Sequence, residues 1–250
     1  MLGDEVAALP AFCRPREPVH DILMTYALLQ TSMTPPPVEA LQRAFRSSDA
    51  LSAADAVLVA DDAFGILARD LPEDEAQNIA ASLAAEDVAV ELVAERDLPR
   101  LPDAEVFSSF QFGAEGIRFF DAREHATEIP YHLLRLVAVG FDKKEVRVEL
   151  VFGDAVLRYH TTLAHLHFHH APEVHGRTPG ENLVQWVRLL VQRLPKLILN
   201  RGAANLANGG DIEHVEDFVG YPRLSAFHEE IVWLLWHARQ DQADAAGSAA

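Results

Sequence analysis

The pattern of apolar positions changes character once along the chain. From Met24 to Arg96 short apolar runs alternate with amphipathic stretches. Thr25-Tyr26-Ala27-Leu28-Leu29-Gln30 is the first strand-like run, and Met24 stands immediately before it. Pro35-Pro36-Pro37 then precedes Val38, Leu41, Ala44 and Phe45, the spacing of a short helix with proline in its first turn. Ser52 with Asp55 three residues on is a helix-start signal, and the helix it opens carries Ala56, Val59 and Ala60. Phe64-Gly65-Ile66-Leu67-Ala68 predicts a buried strand. Pro72-Glu73-Asp74-Glu75 opens a helix with acids where its dipole favours them, and Ala76, Ile79, Ala80 and Leu83 form its apolar stripe. Val88 to Val93 closes the unit as a strand, giving the order β-α-α-β-α-β over residues 24–96.

Asp97-Leu98-Pro99-Arg100-Leu101-Pro102 is a two-proline linker over 97–102. Beyond it, over 103–239, the pattern is β-rich. Phe107–Phe112, Gly116–Phe120, Leu133–Val139, Val146–Phe152 and Ala155–His160 predict strands, separated by turn residues such as Gly113, Asp142-Lys143-Lys144 and Gly153-Asp154. A further strand is predicted from Thr161 to His170. Thr178-Pro179-Gly180-Glu181 is a capping box opening a helix striped by Leu183, Val184, Val187, Leu190, Val191 and Leu194. Asn200-Arg201-Gly202 breaks the pattern, and Ser225 to Arg239 makes a last helix with Phe227, Ile231, Leu234 and Ala238 on one face. Residues 1–23, with Pro10, Pro15 and Pro18, predict an extended lead-in, and both Met1 and Met24 stand as starts; 240–250 is small and polar and predicts a frayed, disordered tail. The fold class is therefore α+β.

Charge narrows the choice of function. With 38 acidic and 21 basic side chains the formal charge is −17, a field that repels phosphate backbones and anionic lipid. The expectation is no nucleic-acid partner and no membrane. Cys13 is the single cysteine, which excludes an internal disulfide and a four-cysteine zinc site. An acidic Met-Leu-Gly-Asp-Glu start, and no apolar run near the ~20 residues of a membrane span, predict a cytoplasmic protein. A homodimer of so acidic a chain would rest on apolar contacts that survive high salt.

Two stretches carry resemblances. Leu51 to Val59, Phe64 to Leu67, and Leu71 to Ala76 continuing through Leu83 to Leu92 are similar to the last two helices and strands of the ribosomal stalk protein's C-terminal domain and of the related Clp-protease adaptor fold. That implies a three-stranded α/β sandwich over 24–96. The stalk docks translation factors with a lysine-bearing helix hairpin; residues 38–87 here have no lysine and three arginines against eleven acids, so the implied role is a scaffold's alone. Ile129-Pro130-Tyr131 before Leu133 to Val137, with the helix from Glu181 to Leu194, resembles a pleckstrin-homology-like domain, which implies a bent β-barrel plugged by a helix. The loop that is basic in lipid-binding members of that superfamily is here the acidic Gly113-Ala114-Glu115-Gly116.

The conspicuous chemistry is histidine. On a strand from Thr161 to His170, His165, His167 and His169 share a face, and neutral imidazoles so placed ligate Zn²⁺ or Ni²⁺ with Glu173, His160 or His175 as a further ligand. His167-x-His169 followed by Glu173 and Gly180 resembles half of the first cupin metal motif, with Thr161 where that motif has glycine and no second motif downstream. The same spacing also fits the solvated face of an amphipathic strand. His228-Glu229-Glu230 lacks the second histidine of a zinc-protease helix; Cys13 has no base placed for it; no phosphate-cradling or nucleophile-elbow motif is present. Trp233 and Trp236 fall off the apolar stripe of the last helix, and either cover the rim of the β-rich core or form an aromatic patch for a partner chain. The first expectation is a non-enzymatic interaction or adaptor protein with an unidentified protein partner and no cofactor. A metal-binding, cupin-like protein or enzyme is the second. A small-ligand sensor at the barrel mouth is the third, though the sequence supplies no polar constellation for it.

Overall fold

The computed structural model describes residues 24–48, 50–61, 64–142, 145–212 and 219–247. The predicted lead-in with Cys13, and the Lys143-Lys144 turn, lie outside them. Strands β1 (Tyr26–Gln30), β2 (Ile66–Leu71) and β3 (Val90–Ala94) and helices α1 (Val38–Ala44), α2 (Asp55–Asp61) and α3 (Glu73–Ala84) follow in the predicted β-α-α-β-α-β order. The sheet runs β2-β1-β3 with both pairings antiparallel. Its central strand is buried on both faces. Leu28 enters a core with Leu41, Phe45, Ile79 and Leu83 of the helical layer, whereas Ala27 and Leu29 turn to the opposite side and meet Val232, Trp233 and Trp236. Prolines 37 and 72 cap α1 and α3 without a side-chain bond, and the acids Glu73, Asp74 and Glu75 fill the first turn of α3. At α2 the Asp55 carboxylate accepts both the N–H and the hydroxyl of Ser52.

The β-rich part comprises β4 (Ala104–Val106), β5 (Ser109–Phe112), β6 (Gly116–Phe120), β7 (Ala126–Pro130), β8 (Leu134–Asp142), β9 (Glu145–Phe152) and β10 (Leu157–Thr162). Helix α4 (Pro179–Arg193), β11 (Ile198–Leu199), α5 (Arg201–Ala207), β12 (Gly220–Tyr221) and α6 (Leu224–Gly247) complete it. One sheet is ordered β11-β8-β9-β10-β4 with β12 also on β8; a second is β5-β6-β7. The chain passes from one to the other at Phe107-Ser108, where Phe107 N–H donates to His160 and Ser108 N–H to Phe120. Among the described residues no ladder joins β7 to β8, so the two sheets share a core without closing into the barrel that the pleckstrin-homology resemblance implies. The turn at Tyr131–Leu133 redirects the chain between them. The core is aromatic: Trp186 of α4 is fully buried and stacks on Phe110 at 4.7 Å, with Phe107, Phe119, Phe152 and Tyr159 around it.

Three predicted elements differ. The strand expected from Thr161 to His170 ends at Thr162, because the Thr162 carbonyl accepts the His165 N–H and its hydroxyl lies 2.8 Å from His165 Nδ1, which closes a turn. Asn200 is not a break but the cap of α5, its side chain accepting the Ala203 N–H. The predicted tail is helical through Gly247, since Ala243, Ala245 and Ala246 have high helix propensity. No helix among the described residues is long and apolar enough to cross a membrane.

Candidate functional site

Strand β9 presents Val146, Val148, Leu150 and Phe152 to the aromatic core and Arg147, Glu149 and Val151 to the opposite face. That face is roofed by α6, whose Phe227 and Ile231 are buried against it. Glu149 is thereby sealed from solvent at 0% exposure. A buried carboxylate must be matched by cations. Arg147, two residues earlier on the same face, reaches it at 2.5 Å and Arg158 of β10 at 3.0 Å, while His228 of α6 places Nε2 3.0 Å from both Glu149 and the Arg158 guanidinium. Arg158 also donates from Nε to the Pro102 carbonyl, which pins the linker to β10. Burial works to raise the Glu149 carboxyl, but the hydrogen bond and charge of His228, with Arg147, outweigh it and hold the group at about 2. His160, opposite Glu149 on β10, is held below its ordinary value near 6.5, first by burial and then by Arg147. Its Nδ1 is buried and has no hydrogen-bond partner among the described residues.

A prediction follows for His160. Its stabilising contribution is complete above pH 6.5 and declines below, where the unfolded chain takes up a proton that the folded chain refuses. Denaturant titrations at pH 7.5 and 5.5 should show a smaller loss of stability in His160→Asn than in the parent chain; equal losses would remove His160 from the account.

Arg158 and His228 form the floor of a cleft of about 820 Å³ between the N-terminal sheet and the β-rich part. Arg69 enters from β2, Glu95, Arg96 and Arg100 from the segment after β3, and Met24, Leu98, Leu101 and Val232 supply an apolar wall. Arg69 is held in place by Glu95 at 2.9 Å; the second oxygen of Glu95 accepts the N–H of Asp70, a residue in the left-handed region at φ 57°. Among the described residues Arg96 has Asp97 as its ion-pair partner, at 3.7 Å and with both side chains well exposed. Arg100 makes no ion pair among the described residues.

A second buried carboxylate has a structural task. Glu230 accepts the Arg201 N–H and the Tyr221 hydroxyl, and Asn200 Nδ2 donates to the same hydroxyl. Burial and then Glu230 push the Tyr221 hydroxyl far above the usual phenol range. The network joins the start of α5, β12 and α6, so His228 and Glu230 are both absorbed by partners within the chain.

The four residues predicted as metal ligands are dispersed. His165 faces Thr162; Glu173 lies 4.0 Å from Arg193; His167 is exposed, its ring 6.2 Å from that of His169. Only His169 enters a cluster, with His170 and with Glu124 from the β6–β7 turn. Trp233 and Trp236, half-buried, lie against the N-terminal sheet and not at the rim of the β-rich core. They dock on the chain's own N-terminal sheet, Trp233 Nε1 donating to the Gln30 carbonyl at 2.6 Å and Trp236 Nε1 to Glu91 at 3.1 Å. Sequence patterning makes Val146 to Phe152 a strand without singling out Glu149; the available signal is Arg147 at i−2, which alternation places on the same face. Nothing in the order of residues joins Arg69, Arg100 and Arg158. Comparison with known proteins adds no relative: no family model, curated protein or solved structure matches the chain.

Proposed function

We propose that this chain is a non-enzymatic binding protein whose recognition site is the arginine-lined cleft, and that the cleft takes a small ligand carrying two or more negative charges. The observation that carries this reading is a local inversion of charge. In a chain of −17, four arginines line one cavity, and Glu95 is the single carboxylate among its lining residues. Volume and lining suit a small molecule, since ligand pockets run about 300–1,000 Å³ with an apolar wall and a few convergent polar groups. A small anion is favoured over an acidic peptide because salt screens the surface field beyond ~8 Å. A compact ligand in the cleft meets the arginines, whereas a long acidic segment would extend across repelling surface. The adaptor expectation takes a specific form here: an occupant touches both the N-terminal sheet and the β-rich part, so binding stiffens their junction.

Calorimetric titration with citrate and with inorganic phosphate tests the reading. One equivalent of citrate should bind, more weakly as salt rises. Arg100→Ala should weaken it about tenfold or more, since hydrogen bonds to charged groups are worth about 1.5–3 kcal/mol and ~1.4 kcal/mol is a factor of ten. Absence of heat with both probes, or citrate affinity indifferent to Arg100→Ala and Arg96→Ala alike, counts against it.

A further inference from the structure

We infer that Glu124, His169 and His170 form a transition-metal site, zinc foremost, that fastens the β6–β7 turn to the loop following β10. The inference is independent of the cleft, which lies against different elements. His170 Nε2 is 3.0 Å from one Glu124 oxygen, His169 Nε2 is 3.9 Å from the other, and the three ligand atoms all lie within 4.8 Å of one another. Tetrahedral zinc with bonds of about 2.0–2.1 Å separates its ligand atoms by roughly 3.4 Å. The observed set brackets that spacing, so capture of an ion needs only small side-chain adjustments.

The two sides of the site are prepared separately. On the turn, the Asp121 carboxylate accepts the N–H groups of Arg123 and His125, and the enclosed Glu124 takes a left-handed backbone at φ 61°. That conformation is uncommon for a residue with a side chain, and here it presents the carboxylate to the histidines. On the loop, consecutive residues supply both imidazoles because the chain turns there instead of running as a strand; their ring centroids are 3.9 Å apart. The His170 ring stacks on Phe120 at 4.3 Å and 22°, which fixes its plane before any ion arrives. Among the described residues Glu124 has the two histidines as its ion-pair partners, and no arginine or lysine competes for it. Two imidazoles and one carboxylate are the donor set of zinc, with nickel and copper next in kind. Three protein ligands leave the fourth position to water.

The test uses protein purified without a polyhistidine tag, titrated with zinc chloride against a chromophoric chelator, with thermal melting in zinc and in chelator alongside. The expected result is one equivalent of zinc and a higher melting temperature in zinc. His169→Ala, His170→Ala and Glu124→Gln should each weaken binding by at least about 100-fold, because loss of a mere outer partner of a ligand already costs ~10–100-fold. Glu124 and His169 are exposed and His170 is half-buried, and unchanged melting in chelator verifies that the variants fold. His165→Ala and His167→Ala should bind as the parent does. No zinc uptake by the parent overturns the assignment, as does uptake that survives the first three changes or is abolished by the last two.

Discussion

Glu149→Ala should destabilise the protein by about 3–5 kcal/mol and lower its melting temperature by roughly 6–20 °C, the cost of removing one partner from a buried ion cluster in a domain of this size. The carboxylate neutralises two guanidiniums and meets the His228 imidazole as well. Without it the Arg147 and Arg158 guanidiniums and the His228 imidazole face one another beneath α6 with no carboxylate between them. The pH dependence supplies a sharper test. The carboxyl ionises at about 2 in the folded chain and near 4.5 when unfolded, so folding favours the ionised form. Its contribution, on the order of 3 kcal/mol, is complete above pH 4.5 and is lost as pH falls from there toward 2. Glu149→Gln keeps the shape and some hydrogen bonding but has no such proton to take up. Its stability should be lower at pH 7 and flatter below pH 4.5 than that of the parent chain. An acid limb as steep in the glutamine variant as in the parent would assign that loss to other carboxylates.

What could be read from the sequence was local. Pro72-Glu73-Asp74-Glu75 and Thr178 with Glu181 mark helix starts through bonds and dipoles within four residues, and α3 and α4 begin there. The apolar run of β1 marks a strand, yet that it is covered on both faces is not legible in it: the second cover comes from α6, about two hundred residues downstream, and no period in either segment names the other. Strand β7 escaped because it is an exposed edge with Ile129 as its one buried side chain, which leaves no alternation to detect. The histidine strand failed for a short-range reason, the Thr162–His165 turn, while Glu124 lies 45 residues before His169 and meets it because β6 and β7 pair and the histidine loop bridges to Ser109 at the edge of the same sheet. The cleft was hidden by averaging: three arginines against eleven acids over residues 38–87 gives an acidic segment, although Arg69 in it points to a basic cavity. Glu149 shows the same limit from the other side, since burial of a strand face is decided by what packs on it.

Gly65→Ala should be costly out of proportion to one methyl group. Gly65 stands at the entrance to β2 with φ 99°, a conformation that charges an L-residue about 1–2 kcal/mol. A Cβ there would lie 2.4 Å from Cγ of Trp233, and overlap of that kind costs about 1–3 kcal/mol more. Neither neighbour is free to yield. Gly65 N–H donates to the buried Gln30 side chain, its carbonyl accepts the Gln30 N–H, and the Gln30 carbonyl in turn accepts the Trp233 indole. Glycine, glutamine and tryptophan thus seat α6 on the N-terminal sheet. A methyl group that lifts Trp233 also displaces Val232 and His228, which line the cleft from the same helix. The variant should lose about 2–5 kcal/mol by denaturant titration and bind citrate more weakly, although no arginine has changed. Adding Trp233→Leu relieves the overlap but not the backbone strain, so the double variant should be more stable than the sum of the two single changes predicts. Strict additivity of the two, measured at equilibrium, would mean that Gly65 and Trp233 do not share this contact and that α6 is seated by the remaining apolar packing alone.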